Sequence, residues 1–202
     1  GRAWTVAAID HRARVVRVEP APRGKRPSWG GFAPQLLGFE LCQQMRAVLA
    51  GEDDYPFLHA SARDALAAQR ELLGAVAASG TATAQVDDDG VARWWTFAGG
   101  RINHTLEVAI ELLRGWTVTV DNLHLRISGA DVDAAAVASV VAQMAAPGFW
   151  RDEALWRLLL ERLPEYRLSK FQRVLPDWAA REMVGAWLLD VDGVEAWLGR
   201  AA

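Results

Sequence analysis

The chain switches between two hydrophobic periods, and the switches mark its parts. Residues Ala3–Ile9 and Val15–Glu19 alternate polar and apolar positions, rich in Val, around Asp10-His11-Arg12-Ala13. That alternation predicts a β-hairpin. The stretch Pro20–Gly31 is crowded with Pro and Gly and cannot be helical. From Pro34 to Leu49 the spacing becomes helical, with Leu37, Leu41, Met45 and Val48 on one face and Gly51 closing the run. A second helix is predicted over about Ala60–Ala78, with Ser61 as N-cap and Ser79-Gly80 as its stop.

The period then returns to alternation. Thr81–Val86 and Val91–Ala98 flank Asp87-Asp88-Asp89-Gly90, and the Asp-Gly pair signals a hairpin turn. Gly99-Gly100 leads into a helix over Ile102–Leu113, whose Ile102, Leu106, Ala109, Ile110 and Leu113 share a side. Strands follow at Trp116–Val120 and Leu123–Ile127 around Asp121-Asn122, then a helix from about Asp131 to Met144. Beyond Pro147-Gly148 the pattern is helical: Trp150–Leu163, Leu168–Leu175 running on through Asp177–Leu189, and Val194–Leu198, punctuated by Pro164 and Pro176. The expected fold class is therefore α+β. It comprises an N-terminal β-hairpin with a basic loop (1–32), a helical pair (33–80), a module with a four-stranded antiparallel sheet (81–147) and a C-terminal helical part (148–202).

Charge complicates this ordinary picture. The net charge of −3 argues against a dedicated nucleic-acid binder, whose domain is usually basic. The distribution is less even than the sum. Arg12, Arg14, Arg17, Arg23, Lys25 and Arg26 are opposed locally only by Glu19, and a second basic stretch runs Arg151, Arg157, Arg162, Arg167, Lys170, Arg173. Two basic regions on a mildly acidic body mark either a phosphate track or solvated faces. No apolar run approaches the ~18 residues of a membrane span, and no signal peptide opens the chain, so a cytoplasmic protein without a membrane partner is expected. Cys42 is the only cysteine, which excludes an intrachain disulfide and any zinc site built on two or four cysteines. His11, His59, His104 and His124 show no metal-ligand spacing, and no serine has a nucleophile-elbow context. No metal ligand and no catalytic residue is nominated.

Several short strings, in order, resemble one family. Gly1-Arg2-Ala3-Trp4-Thr5-Val6, Glu19-Pro20-Ala21-Pro22 and Pro27-Ser28-Trp29-Gly30-Gly31 look like the start of the C-terminal domain of Lhr-type (large helicase-related) superfamily-2 helicases. Trp94-Trp95-Thr96-Phe97-Ala98-Gly99-Gly100-Arg101-Ile102-Asn103 and Leu168-Ser169-Lys170-Phe171-Gln172, with Leu175-Pro176 after it, are similar to later segments of the same group. The resemblance implies an accessory domain that engages or steers a single strand of nucleic acid beside RecA-like and winged-helix domains. ATP and magnesium belong to those motor domains. Here the phosphate-cradling Gly-x-x-x-x-Gly-Lys-Thr loop and the acidic magnesium box are missing, so the expectation is a part that is no enzyme by itself and carries no cofactor. The competing reading is a structural or protein-interaction module with little nucleic-acid contact.

Candidate contacts follow from residue chemistry. Trp29, beside Arg23, Lys25 and Arg26, offers either a stacking face with nearby cations or a lid over the hairpin. Arg101, Asn103 and His104 open a helix after two glycines, where unpaired N–H groups favour anions; shaping the strand-to-helix corner is the alternative role. Lys170 and Arg173, around Phe171 and Gln172, offer a phosphate or partner contact or a solvated surface. Trp94 and Trp95 alternate across a strand, so one faces the core and the other faces outward or meets another domain.

Overall fold

A computed structural model describes residues 3–21, 34–79 and 84–201. The chain divides into two units, Gly1–Ala33 and Pro34–Ala202. The expected α+β class is what the structure has: two antiparallel sheets, of two and four strands, with helices.

The first unit is a hairpin of β1 (Ala3–Asp10) and β2 (Val15–Ala21). Its register shifts between Val6 and Ala8. The extra residue is a β-bulge, and it decides which side chains share a face. Trp4, Val6 and Ile9 lie opposite Pro20, Val18 and Val16, so an odd step along β1 still keeps Ile9 with the other apolar residues. Strict alternation would have put it with Thr5 and Arg17. The loop that follows, with Arg23, Lys25, Arg26 and Trp29, lies outside the described residues.

The second unit is layered. Its sheet runs β3 (Gln85–Val86), β4 (Ala92–Trp95), β6 (His124–Ser128), β5 (Thr117–Val120) in space. One face carries Ala92, Trp94, Val118, Leu125 and Ile127, all buried. Against it packs α3 (Gly100–Arg114), and against α3 pack α5 (Glu153–Arg162), α6 (Asp177–Leu188) and α7 (Val191–Ala201). With neighbours on both sides, α3 buries far more than one stripe. Ile102, Leu106, Ala109 and Ile110 are buried, and so are Asn103, Thr105 and Val108. Gly115, in the left-handed conformation, ends it. A helix α4 (Ala134–Met144), capped by Asp133, contributes Val137, Val140 and Met144 to the same core. Residues of the module expected at 81–147 and of the C-terminal part expected at 148–202 share this core, while α1 (Phe39–Ala50) and α2 (Ala60–Ala78) pack chiefly on each other.

Four local expectations change. The first helix, α1 (Phe39–Ala50), starts at Phe39 instead of Pro34, because residues 34–38 spend their backbone groups elsewhere. Gly100 N–H donates to Leu37 O at 3.0 Å, and Leu37 N–H donates to Asn122 Oδ1 at 2.8 Å. The cap of α2 (Ala60–Ala78) is His59, whose ring accepts from Ser61 N–H, so Ser61 is the partner and not the cap. The stretch Leu168–Leu175 is not a helix beyond the single 3-10 turn Gln172–Val174. Gln172 ties it into a loop by accepting from Leu168 N–H and donating to Tyr166 O, bonds that an α-helical backbone would have displaced. The last helix is longer than its apolar spacing suggested, Val191–Ala201 against Val194–Leu198. No helix among the described residues is long and apolar enough to cross a membrane.

Candidate nucleic-acid interface

Two regions nominated from sequence fall within the described residues, and they end up in opposite environments. The first is the start of α3. Its glycines are there for close approach. A Cβ on Gly99 would lie 2.6 Å from Leu37 O, and one on Gly100 would lie 2.6 Å from Asn122 Oδ1. Gly99 also takes φ +88°, ψ 164°, a combination only glycine adopts without strain. Segment 34–38 therefore lies across the helix N-terminus, and the Gly100 N–H expected to meet an anion already has a carbonyl.

Asn103 is completely buried. Its Oδ1 accepts from Thr96 Oγ1 at 2.7 Å, and its Nδ2 donates to Asp121 O at 2.7 Å. The expectation that it touches a base or a sugar is corrected, because both ends of the amide are committed inside the core. Arg101 points toward the end of α6, where it donates to Ala186 O at 3.0 Å and to Leu189 O. These carbonyls lack helical partners, so Arg101 works as a C-terminal cap for α6. Both bonds use the same guanidinium nitrogen, and the side chain is exposed. His104 lies half-buried beside Glu107, Nδ1 to Oε2 2.6 Å. Thr105, which sequence reasoning passed over, completes the corner. Its hydroxyl donates to Arg101 O and accepts from Asp190 N–H, both at 2.8 Å. The block Arg101–Thr105 is the polar joint between the sheet layer and the C-terminal helices.

The second region behaves otherwise. Of the cations from Arg151 onward, Arg151 pairs with Asp192 and Glu195, and Arg157 lies 3.6 Å from Glu153. Arg162, Arg167 and Arg173, and Arg181 on α6, make no hydrogen bond or ion pair among the described residues. Lys170 sits only over the Phe171 ring, 4.9 Å from its centroid. The same stretch of chain carries large apolar side chains open to solvent: Phe171 at 66 %, Val174 at 80 % and Trp178 at 71 % exposed. Between α5, the 163–175 loop and α6 runs a groove of about 570 Å³. Its floor includes Leu163, Ala180 and the buried Val184, and its rim carries Arg167, Arg173 and Arg181 with Glu161, Glu165 and Asp177. Tyr166 borders it, edge-on to Trp187 at 5.6 Å. Burial first, and Glu107 second, raise the Tyr166 pKa, so its hydroxyl stays a neutral donor.

Trp178 and Arg181 were not nominated from sequence, and Arg162 and Arg167 entered only as members of the second basic stretch. Trp178 reads there as one more core indole on an amphipathic helix, but it falls on the first turn of α6, outward of Val184 and Leu188. A signal was present in its position two residues after Pro176, at a helix start. Of the tryptophan pair on β4, Trp94 is the core residue, and Trp95 is half-buried on the opposite face, stacked on His124 at 4.6 Å. His124 Nδ1 lies 3.0 Å from Asp121 Oδ2, in contact but poorly aligned as a hydrogen bond. Burial pushes the Asp121 carboxyl up; the His124 ring and the N–H groups of Leu123 and His124 outweigh it and hold the group below its ordinary value.

Among the described residues no cluster of His, Cys, Asp and Glu is placed to hold a metal ion. Cys42 is buried, and that burial raises its pKa, which leaves it a neutral thiol of low reactivity. Comparison of the chain with protein-family models, with curated proteins and with solved structures finds no match in any of the three.

Proposed function

We propose that this chain is the C-terminal accessory part of an ATP-dependent Lhr-like helicase, holding or steering a single strand beside RecA-like and winged-helix domains. In this reading it hydrolyses no ATP, and the nucleotide and magnesium are handled by the motor. The observation that carries the reading is the stretch from Arg162 to Arg181. In this stretch Arg162, Arg167, Arg173 and Arg181 have no partner among the described residues, three of them line one groove, Lys170 lies over the Phe171 ring, and the rings of Phe171 and Trp178 are exposed. Holding like cations together without partners is unfavourable unless an anion joins them, and exposing large aromatic rings to water is unfavourable unless something stacks on them. A single strand answers both: phosphates meet the cations and bases meet the rings. The order of the family-like segments, with Lys170 and Phe171 inside one of them, agrees.

The test is an anisotropy titration of the whole chain with labelled single-stranded DNA and RNA at low and moderate salt. Affinity should fall steeply with salt, since neutralised phosphates release counterions. Trp178→Ala should cost about 1–3 kcal/mol of binding, one lost stack, while leaving the salt slope nearly unchanged. Absence of binding at low salt would sink the proposal. One observation favours a protein-interaction module instead. Val174 and Leu175 are exposed and offer no stacking ring, and three carboxylates stand on the groove rim. That module would bind no strand at any salt, and Trp178→Ala would leave nucleic-acid behaviour untouched.

A further inference from the structure

The outward face of the four-stranded sheet is a second polar surface, distinct from the groove. The register places Gln85, Arg93, Arg126 and Thr119 in one row across β3, β4, β6 and β5. All four are exposed. In the next row on the same face Trp95 stands directly opposite His124, and on the other side Thr117 stands opposite Ser128. The central row holds no apolar side chain, which makes this a poor seat for an apolar protein surface.

Two guanidiniums directly opposite on neighbouring strands repel. Asp87 relieves Arg93, at 2.7 Å, but Arg126 has no hydrogen bond or ion pair among the described residues. An anion lying between Arg93 and Arg126 would remove that repulsion. One row away, two residues or roughly 7 Å along the strands, are the stacked Trp95 and His124 rings, 4.6 Å apart. A cationic pair one such step from a pair of aromatic rings matches a nucleotide, whose phosphate and base are joined across the sugar. Thr117 and Thr119 add hydroxyl donors beside the path.

From this juxtaposition we infer that the sheet's outward face is a second binding surface for single-stranded nucleic acid, with a phosphate at Arg126 and Arg93 and its base against His124 and Trp95. The inference rests on the nucleic-acid reading above and extends it, because α3 and its helices lie on the other face of the sheet. The groove and this surface are therefore separate contacts, and each has its own residues.

The experiment is ultraviolet crosslinking of the whole chain to short single-stranded DNA and RNA carrying 5-bromouracil, with adducts mapped by mass spectrometry. Adducts are expected at Trp95 or His124 as well as at Phe171 or Trp178. Arg126→Glu should remove the sheet adducts and weaken binding about tenfold, while the groove adducts persist. Arg126→Lys should retain the sheet adducts, and an unchanged melting temperature shows that Arg126→Glu is folded. Adducts confined to Phe171 and Trp178 and indifferent to Arg126→Glu would overturn the inference and leave the groove reading standing. No adducts anywhere, with no binding in solution, would overturn both.

Discussion

The Gly-Gly-Arg-Ile-Asn start of α3 and the Lys-Phe-Gln-Arg loop before α6 carry the same kind of signal in sequence: cations beside amides at a break in the pattern. Folding gives them opposite fates. Asn103 is completely buried and Arg101 caps a neighbouring helix, whereas Lys170 and Arg173 stay at the surface without a carboxylate or carbonyl partner among the described residues. The difference comes from what surrounds each segment. The start of α3 lies between a sheet and three helices, where each buried polar atom must find a protein partner. The loop lies at the edge of α5 and α6, where Gln172 bonds within the loop and the cations of Lys170 and Arg173 face solvent. An arginine in a chain is thus ambiguous until its neighbours' carbonyls are located.

The comparison predicts that the α3 corner is where stability concentrates, and the largest effect should come from Gly99→Ala. The added methyl would meet Leu37 O at 2.6 Å in a backbone conformation closed to alanine. Strain of about 1–3 kcal/mol joins the displacement of segment 34–38, so the total should exceed ~3 kcal/mol. Chemical denaturation checks it, and a loss below ~1 kcal/mol would mean that the close approach of Leu37 is not maintained.

Asn103→Ala should follow, at about 2–3 kcal/mol, since Thr96 Oγ1 loses a buried acceptor, Asp121 O loses its donor and a small cavity opens. A melting temperature equal to that of the parent chain would show that Asn103 is not the buried bridge described here. Acid should expose the same corner more gently. Asp121 has a lower pKa folded than its ordinary value of 3.8, so its contribution is present above about pH 4 and is lost as pH falls through the folded value. Asp121→Asn, which cannot gain that proton, should therefore show a flatter stability profile below pH ~4. Parallel profiles for the two chains would count against the pairing with His124.

How much of this was legible depends on which physics each feature obeys. The alternation on β4, β5 and β6 and the Asp87–Gly90 turn are local, and so the sheet could be anticipated strand by strand. The bulge between Val6 and Ala8 breaks alternation by one residue and leaves no mark in composition. Residues 34–38 looked helical because Leu37 fits the helical spacing, yet their backbone groups bind partners at Gly100 and Asn122, more than sixty positions away along the chain. The site was half visible. As candidates, Lys170 and Arg173 stood out by charge, but Trp178 did not, because an indole on an amphipathic helix looks the same facing in or out until the helix has a neighbour.

The smallest expected effects draw the line between the two regions most sharply, because they separate two arginines of identical chemistry. Arg101→Ala removes hydrogen bonds to Ala186 O and Leu189 O at the exposed edge of a helix end. It should cost about 1 kcal/mol of stability and leave the salt dependence of strand binding as it was. Arg173→Ala removes nothing from the fold, so stability should stay within ~0.5 kcal/mol. On single strands, however, each lost phosphate contact should lower the slope of log affinity against log salt by about 0.7. The two substitutions thus move different observables, one the melting curve and the other the salt slope. If Arg101→Ala flattens the salt slope while its melting curve stays put, the cap assigned to it is wrong, and the start of α3 rejoins the binding surface. If Arg173→Ala alters neither, the free cations of the loop are solvated charges and nothing more. The burden of strand binding would then fall on the aromatic rings alone, which bind with little sensitivity to salt.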